Sequence, residues 1–228
     1  MDIKNINYEY FLDLSVRMTY HSNAIEGNTL TLNETATIIL DSTIPGSKSV
    51  REVFEVLNHK RAIDYMISEL ENDKKLDIYV IKSINKEILD RLNNNAGNFK
   101  RNSNAIIGAN FETSTPSQAP ILTKNWIENL NYRLELCKND DEKLLEILNS
   151  HIEFERIHPF SDGNGRTGRL IMMYLCFQEK ISPFVIEKED RALYMSYLRE
   201  QNVDIIFEKV KELQKFEQKR IDKFKKNL

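Results

Sequence analysis

Apolar residues recur three and four apart along almost the whole of this chain, and little interrupts them. Its 228 residues include only 7 Gly and 5 Pro, and the strict alternation that marks half-buried strands is nearly absent. A chain patterned this way buries its apolar stripes as helices packed on helices. Tyr8, Phe11, Leu12, Ser15 and Met18 predict a first helix over 5–24, with Gly27-Asn28 as its stop. Thr31-Leu32-Asn33-Glu34 has the spacing of a capping box and opens a short second helix, which Ile44-Pro45-Gly46-Ser47 closes. Further periodic runs predict helices over 49–70, 77–92, 123–137, 141–156, 164–178, 189–200 and 203–226.

The length suits one domain with an ample core. We expect an N-terminal region over 1–45 and a core over 46–228, forming one structural unit. With 35 acidic against 32 basic residues the net charge is −3, which lacks the basic excess of a dedicated nucleic-acid binder. The longest apolar run, 170–177, is about half of the roughly 20 residues needed to cross a bilayer. Met1-Asp2-Ile3-Lys4-Asn5 has no secretory pattern. Cys137 and Cys176 form neither a disulfide framework nor a CxxC site and read as buried free thiols. The expected compartment is cytoplasmic, without membrane or nucleic-acid partners. The lysine-rich helix over 209–226 carries interspersed Glu208, Glu212 and Glu217 and reads as a solvated face.

One stretch departs from the helical pattern. Residues 93–120 are rich in Asn, Gly, Ser and Thr, and so long a gap in a compact domain is usually a functional loop or a disordered segment. Within it Ala105-Ile106-Ile107-Gly108-Ala109 has the makings of a short strand whose open edge suits an extended peptide.

The chemistry concentrates in Ile157-His158-Pro159-Phe160-Ser161-Asp162-Gly163-Asn164-Gly165-Arg166-Thr167-Gly168-Arg169. Pro159 disfavours helical geometry at His158, so the preceding helix stops there. Asp162-Gly163-Asn164-Gly165 is turn chemistry, and a new helix follows at once. Backbone N–H groups of such a turn, with the helix N-terminus, make an anion-binding concavity. Arg166 and Arg169 share one side of that helix and add two guanidinium groups, a set suited to a polyphosphate. Asp162 offers one carboxylate to a Mg²⁺ held mostly by phosphates and water. His158 is the nearby group whose ordinary pKa suits a general base, and Phe160 is expected to point into the core. Gly163, Gly165 and Gly168 also spell the dinucleotide-binding GxGxxG pattern. That motif must follow a strand, and the segment here follows a helix, so the dinucleotide reading fails.

The same segment resembles the signature of the Fic family, H-x-F-x-[DE]-G-N-G-R-x-x-R, at every specified position. The resemblance covers about residues 5–215 and implies an all-α, compact Fic-like domain with a small β-hairpin flap. It implies transfer of AMP from ATP to a Ser, Thr or Tyr hydroxyl of a target protein or of the chain itself. On that resemblance His158 deprotonates the hydroxyl and Asp162 holds Mg²⁺. Gly163, Asn164, Gly165, Thr167 and Gly168 belong to the nucleotide-binding turn, while Arg166 and Arg169 clamp the β- and γ-phosphates. Doc-like relatives that transfer phosphate carry Lys where this chain has Gly165. Ile107, Gly108, Ala109 and Asn110 are similar to the family's flap, which aligns the target by strand pairing, although Pro116 comes later than the usual proline. Tyr194 and Asn202 resemble residues near the adenosine; Tyr194 reads equally as a core aromatic.

Ser22-Asn23-Ala24-Ile25-Glu26-Gly27 is similar to the family's inhibitory motif, [ST]-x-x-x-E-[GN]. Ser22 and Glu26 share one face at a helix end, from which Glu26 would pair with Arg169 in the space of the γ-phosphate. The resemblance thus implies a self-restrained enzyme. Alternatives are a catalytically silent nucleotide-binding regulator, an enzyme that mainly removes AMP, and a helical module reading acidic peptides through Arg166 and Arg169. A different nucleotide donor and self-association stay open. His151 and Glu155, one turn apart, have no third ligand in reach and read as structural.

Overall fold

The computed structural model describes residues 3–104 and 112–225. Nine α-helices account for most of them: α1 (Tyr8–Ile25), α2 (Leu32–Leu40), α3 (Val50–Glu71), α4 (Ile78–Ile88), α5 (Ala119–Leu136), α6 (Asp140–Ile157), α7 (Asn164–Gln178), α8 (Arg191–Glu200) and α9 (Phe207–Lys225). Among the described residues the one β pairing is an isolated antiparallel bridge between Phe99 and Phe160. The expected flap, Ile106–Asn110, lies outside the described residues.

Most boundaries fall where local chemistry put them. Thr31 caps α2 in a full capping box, accepting from the Glu34 N–H while the Glu34 carboxylate accepts from the Thr31 N–H. Asp77 accepts from the Tyr79 and Val80 N–H groups at the start of α4. Four expectations need correction. The helix expected from 203 begins only at Phe207, after a 3₁₀ turn over Val203–Ile205. The second helix ends at Leu40 rather than at Ile44, with Ser42 already at φ +52°. The helix expected over 77–92 stops at Ile88, and Arg91 sits at φ +59°. The helix expected from 123 begins at Ala119, because Pro120 in the first turn is pre-set for helical φ and needs no N–H partner there.

The apolar run 170–177 is the interior of α7, and it is buried on all sides. A helix apolar around its whole circumference must be central. Helices α1, α3, α4 and α6 all contact it, and one core joins Leu170, Ile171, Met172, Met173 and Tyr174 to residues of the surrounding helices. Each buried Leu, Ile or Phe contributes about 1.5–3 kcal/mol relative to exposure, so α7 is fixed by packing. Its N-terminus, which carries the candidate site, inherits that rigidity. Cys176 is buried in this helix and Cys137 is half-buried at the end of α5; both thiols are free.

Candidate active site

Helix α6 ends at Ile157 and His158 turns the chain in the left-handed region, φ +47°, ψ 60°, with its N–H donating to the Phe154 carbonyl at 2.9 Å. A side chain bears a steric cost in that conformation, so the surroundings must hold it. They do so at several points. The Phe160 ring is fully buried and stacks on Phe99 with centroids 5.9 Å apart. The Lys100 N–H donates to the Pro159 carbonyl at 2.9 Å. The Asn164 side chain both accepts from the Phe160 N–H and donates to the Phe160 carbonyl, at 3.0 and 2.9 Å. From α4, buried Asn85 donates to the Asp162 carbonyl at 3.1 Å and to Thr167 Oγ1 at 3.2 Å, and accepts from the Gly97 N–H at 3.0 Å.

Gly163, at φ +72°, is the N-cap of α7 and brings no side chain to its first-turn amides. The N–H groups of Asn164, Gly165 and Arg166 therefore stand at a helix N-terminus with no side chain of the cap in front of them. Asp162 Oδ1 accepts from the Gly163 N–H at 2.6 Å, and its carboxylate is 44 % exposed. Arg166 lies 3.8 Å from Asp162 and 3.9 Å from Glu55 of α3, with its Nε unpaired.

Arg169 is almost fully buried and spans two elements. Its guanidinium donates to Ser22 Oγ at 3.0 Å, to the Ser22 carbonyl at 2.9 Å and to Glu26 Oε1 at 2.7 Å. Burial opposes the Glu26 charge, but Arg169, with help from Arg166 and Arg191, outweighs it and holds that carboxyl below its ordinary range. The Glu26 side chain is nonetheless 41 % exposed, while its carboxylate reaches Arg169. Gly165 makes room for that carboxylate, since a Cβ there would lie 2.5 Å from Glu26 Oε1.

The His158 ring is mostly buried, and burial, followed by the nearby Lys100 charge, pushes it down to about 4. It is therefore a neutral imidazole near pH 7. Nδ1 is buried against Glu155, whose carboxylate Oε2 is 3.8 Å away, which leaves Nε2 as the nitrogen open to a substrate. Lys100 itself is buried and pushed down to about 8. Its Nζ donates to Asn104 Oδ1 at 2.8 Å, Thr113 Oγ1 at 3.2 Å and the Ile157 carbonyl at 3.4 Å. It thereby ties the residues flanking 105–111 to the end of α6.

Not every expected residue joins the site. Tyr194 meets the site from behind: its hydroxyl accepts from Arg169 at 3.4 Å and lies 2.7 Å from His151 Nε2, with Arg169 over its ring at 5.6 Å. Asn202 caps a short 3₁₀ turn by accepting from the Asp204 N–H. Ile107, Gly108, Ala109 and Asn110 are outside the described residues. Sequence reasoning missed Asn85, Lys100 and Glu55, which carry no local motif; it noticed Glu155 but read it as structural. Among the described residues no group of three or more His, Cys, Asp or Glu could hold a metal ion, and no helix is long and apolar enough to cross a membrane.

Residues 75–176 match the Fic/DOC family. A protein adenylyltransferase Fic of Nematostella vectensis is 30 % identical over 189 residues, which cover 80 % of this chain and 42 % of the relative. One from Aedes aegypti is 30 % identical over 82 % of this chain and 37 % of its own length. The chain thus spans about two fifths of the curated relatives it matches. Among solved structures, Fic-1 of C. elegans superposes with a TM-score of 0.78 at 25 % identity over 97 % of this chain and 65 % of the other. A Fic-domain signalling protein of Bacteroides thetaiotaomicron superposes with a TM-score of 0.76 at 23 % identity, over 86 % of this chain and 76 % of the other, and so shares the fold. The chain carries a Fic domain of the Fic/DOC family, centred on residues 75–176.

Proposed function

We propose that this chain is a protein adenylyltransferase that moves AMP from ATP to a target hydroxyl and is held in check by Glu26. The observation that carries the reading is the meeting, at one helix N-terminus, of a neutral imidazole, bare first-turn amides and two buried arginines whose partners are acidic side chains. The relatives' name, protein adenylyltransferase, supports the same reaction.

In this mechanism His158 Nε2 takes the proton of the target hydroxyl as its oxygen bonds to the α-phosphorus, and the bond from that phosphorus to the β-phosphate bridge breaks, releasing pyrophosphate. Arg166, Arg169 and the amides of residues 164–166 neutralise the triphosphate, which is most of what such a transfer asks of a protein. Asp162 fits a Mg²⁺ ligand: Mg²⁺ usually takes one or two carboxylates beside phosphates and water, and this carboxylate is half-exposed with one oxygen not engaged by Gly163. When bound, Mg²⁺ supplies positive charge to the phosphate oxygens. The target would pair with the segment 106–110. We place the protein in the cytoplasm on its free thiols.

Glu26 takes the Arg169 hydrogen bond that a γ-phosphate would need. Because its side chain is 41 % exposed, it can be displaced without opening the core. Intact-mass measurement after incubation with ATP and Mg²⁺ tests both claims. We expect AMP addition to be weak in the wild type, strong in Glu26→Gly and absent in Glu26→Gly/His158→Ala. Nucleotide binding without any AMP addition in Glu26→Gly would favour the silent regulator, and equal addition in wild type and Glu26→Gly would remove the brake.

A further inference from the structure

Behind His158 lies a row of buried polar side chains that the mechanism above does not use. Tyr194 and His151 meet at 2.7 Å through Nε2. The opposite nitrogen, His151 Nδ1, is buried without a partner, and so is Glu155 Oε1. Both converge over Gly168: a Cβ at that position would lie 2.8 Å from each. The second Glu155 oxygen, Oε2, lies 3.8 Å from His158 Nδ1. That distance is too long for a hydrogen bond with a neutral ring but within ion-pair reach of a charged one. A buried carboxyl left short of partners is expensive to keep, and an apolar side chain would fill this place at less cost.

We propose that Glu155 is the counter-ion of His158: its carboxylate, facing Nδ1, balances the positive charge the ring acquires when Nε2 takes the proton of the target hydroxyl. This rests on the AMP-transfer reading. Protons and charge balance: the hydroxyl proton ends on Nε2, the carboxylate stays ionised, and a neutral imidazole beside an anion becomes an ion pair. Glu155 acts through His158 and is a positioning residue.

The groups facing the pair set its pH behaviour. Glu155 meets Arg169 from α7, Glu26 from the C-cap of α1, Tyr194 and Tyr197 from α8, and His151 from its own helix; His158 meets Lys100, the Glu155 main chain, Glu26 and Asp162. Burial dominates for Glu155 and, with Glu26 adding to it and Arg169 opposing, raises it to about 8. His158 stays neutral above about pH 4. The active arrangement, ionised Glu155 beside neutral His158, therefore grows as pH rises through the Glu155 ionisation, about tenfold per pH unit on the acid side of it.

The test has a kinetic arm and a spectroscopic one. In the Glu26→Gly background, the rate of self-modification from ATP and Mg²⁺ is expected to rise between pH 6 and 9. Adding Glu155→Gln should flatten that rise and lower kcat at pH 8.5 about tenfold, a larger change than any in the KM for ATP, because Glu155 faces the His158 ring and meets the triphosphate only through Arg169. A rate and slope retained in Glu155→Gln would overturn the proposal. The second arm follows the ¹³C-labelled His158 ring by NMR in the nucleotide-free wild type, with His158→Asn to assign it, and needs neither turnover nor a stable Glu155 variant. The ring shift should show a step between pH 6 and 9, and its absence overturns the pair. A step without AMP transfer from any variant defeats the reaction reading instead, so the two failures are distinguishable.

Discussion

Asn85 joins the loop of the candidate site to the helices beneath it. It is fully buried, and its amide serves the Asp162 carbonyl, Thr167 Oγ1 and the Gly97 N–H. Truncation to Ala leaves at least a buried N–H and a carbonyl without partners, at about 1–3 kcal/mol each. We expect Asn85→Ala to lower Tm by several degrees, about 2–4 °C per kcal/mol for a chain of this size. Transfer activity should fall further than stability does, because Asp162 and the α7 N-terminus lose their anchor; calorimetry and intact-mass kinetics on the same preparation would show it. Nothing in the sequence marks Asn85, since one Asn in a helix has no pattern and its meaning lies in partners up to 82 residues away. The His158–Arg169 segment was legible because its chemistry is local: turn, cap and arginine spacing are all written within one stretch. Glu26 was half legible. Its spacing from Ser22 showed a shared face, whereas its 2.7 Å contact with Arg169 depends on packing across 143 residues.

Among the elements, α1 and the turn after it decide how Glu26 would act as the proposed brake. Asn23 donates to the Glu55 carbonyl, and Asn28 donates to the Glu52 carbonyl and the Glu55 carboxylate. Thr29 donates through both its N–H and its hydroxyl to Glu52, at 2.6 and 2.7 Å. From the other side, Arg191 donates to the Ile25 carbonyl at 2.9 Å. These contacts pin the backbone on both flanks of Glu26 while its side chain stays 41 % exposed. Release should then be a side-chain rotation rather than departure of the helix. Hydrogen exchange provides the check: amide protection over 18–25 is expected to be the same in wild type and Glu26→Gly, with and without ATP and Mg²⁺. A loss of protection across the last turns of α1 would mean that the element itself moves. The helices were legible from periodicity, and their errors have physical reasons. The ends of α2 and α4 are set by residues in left-handed backbone at Ser42 and Arg91, a conformation few side chains announce. The early start of α5 follows from Pro120, which marks a break in most contexts and a beginning in this one.

For the molecule as a whole, buried ionisable groups make stability depend on pH in two opposing ways. Asp13, between α1 and α9, is hydrogen-bonded to Arg17 and Arg220. Burial opposes its charge, but Arg220 and Arg17 outweigh that and hold its pKa below the ordinary 3.8. Its contribution is present above the unfolded value and is lost as pH falls through the folded one. Glu155 has the opposite sign. Its folded value, about 8, lies above its ordinary 4.5, so between these limits the folded state holds a proton that the unfolded chain has released. The folded state is favoured fully below the lower limit, and stability declines as pH rises through the window, by roughly 5 kcal/mol once above it. Glu155→Gln removes this dependence. Thermal unfolding of the two proteins should show the Tm of the variant gaining on the wild type by about 5 °C or more between pH 5 and pH 8, even as the variant transfers AMP more slowly. A Tm difference independent of pH would mean that Glu155 is ionised, and already partnered, throughout that range.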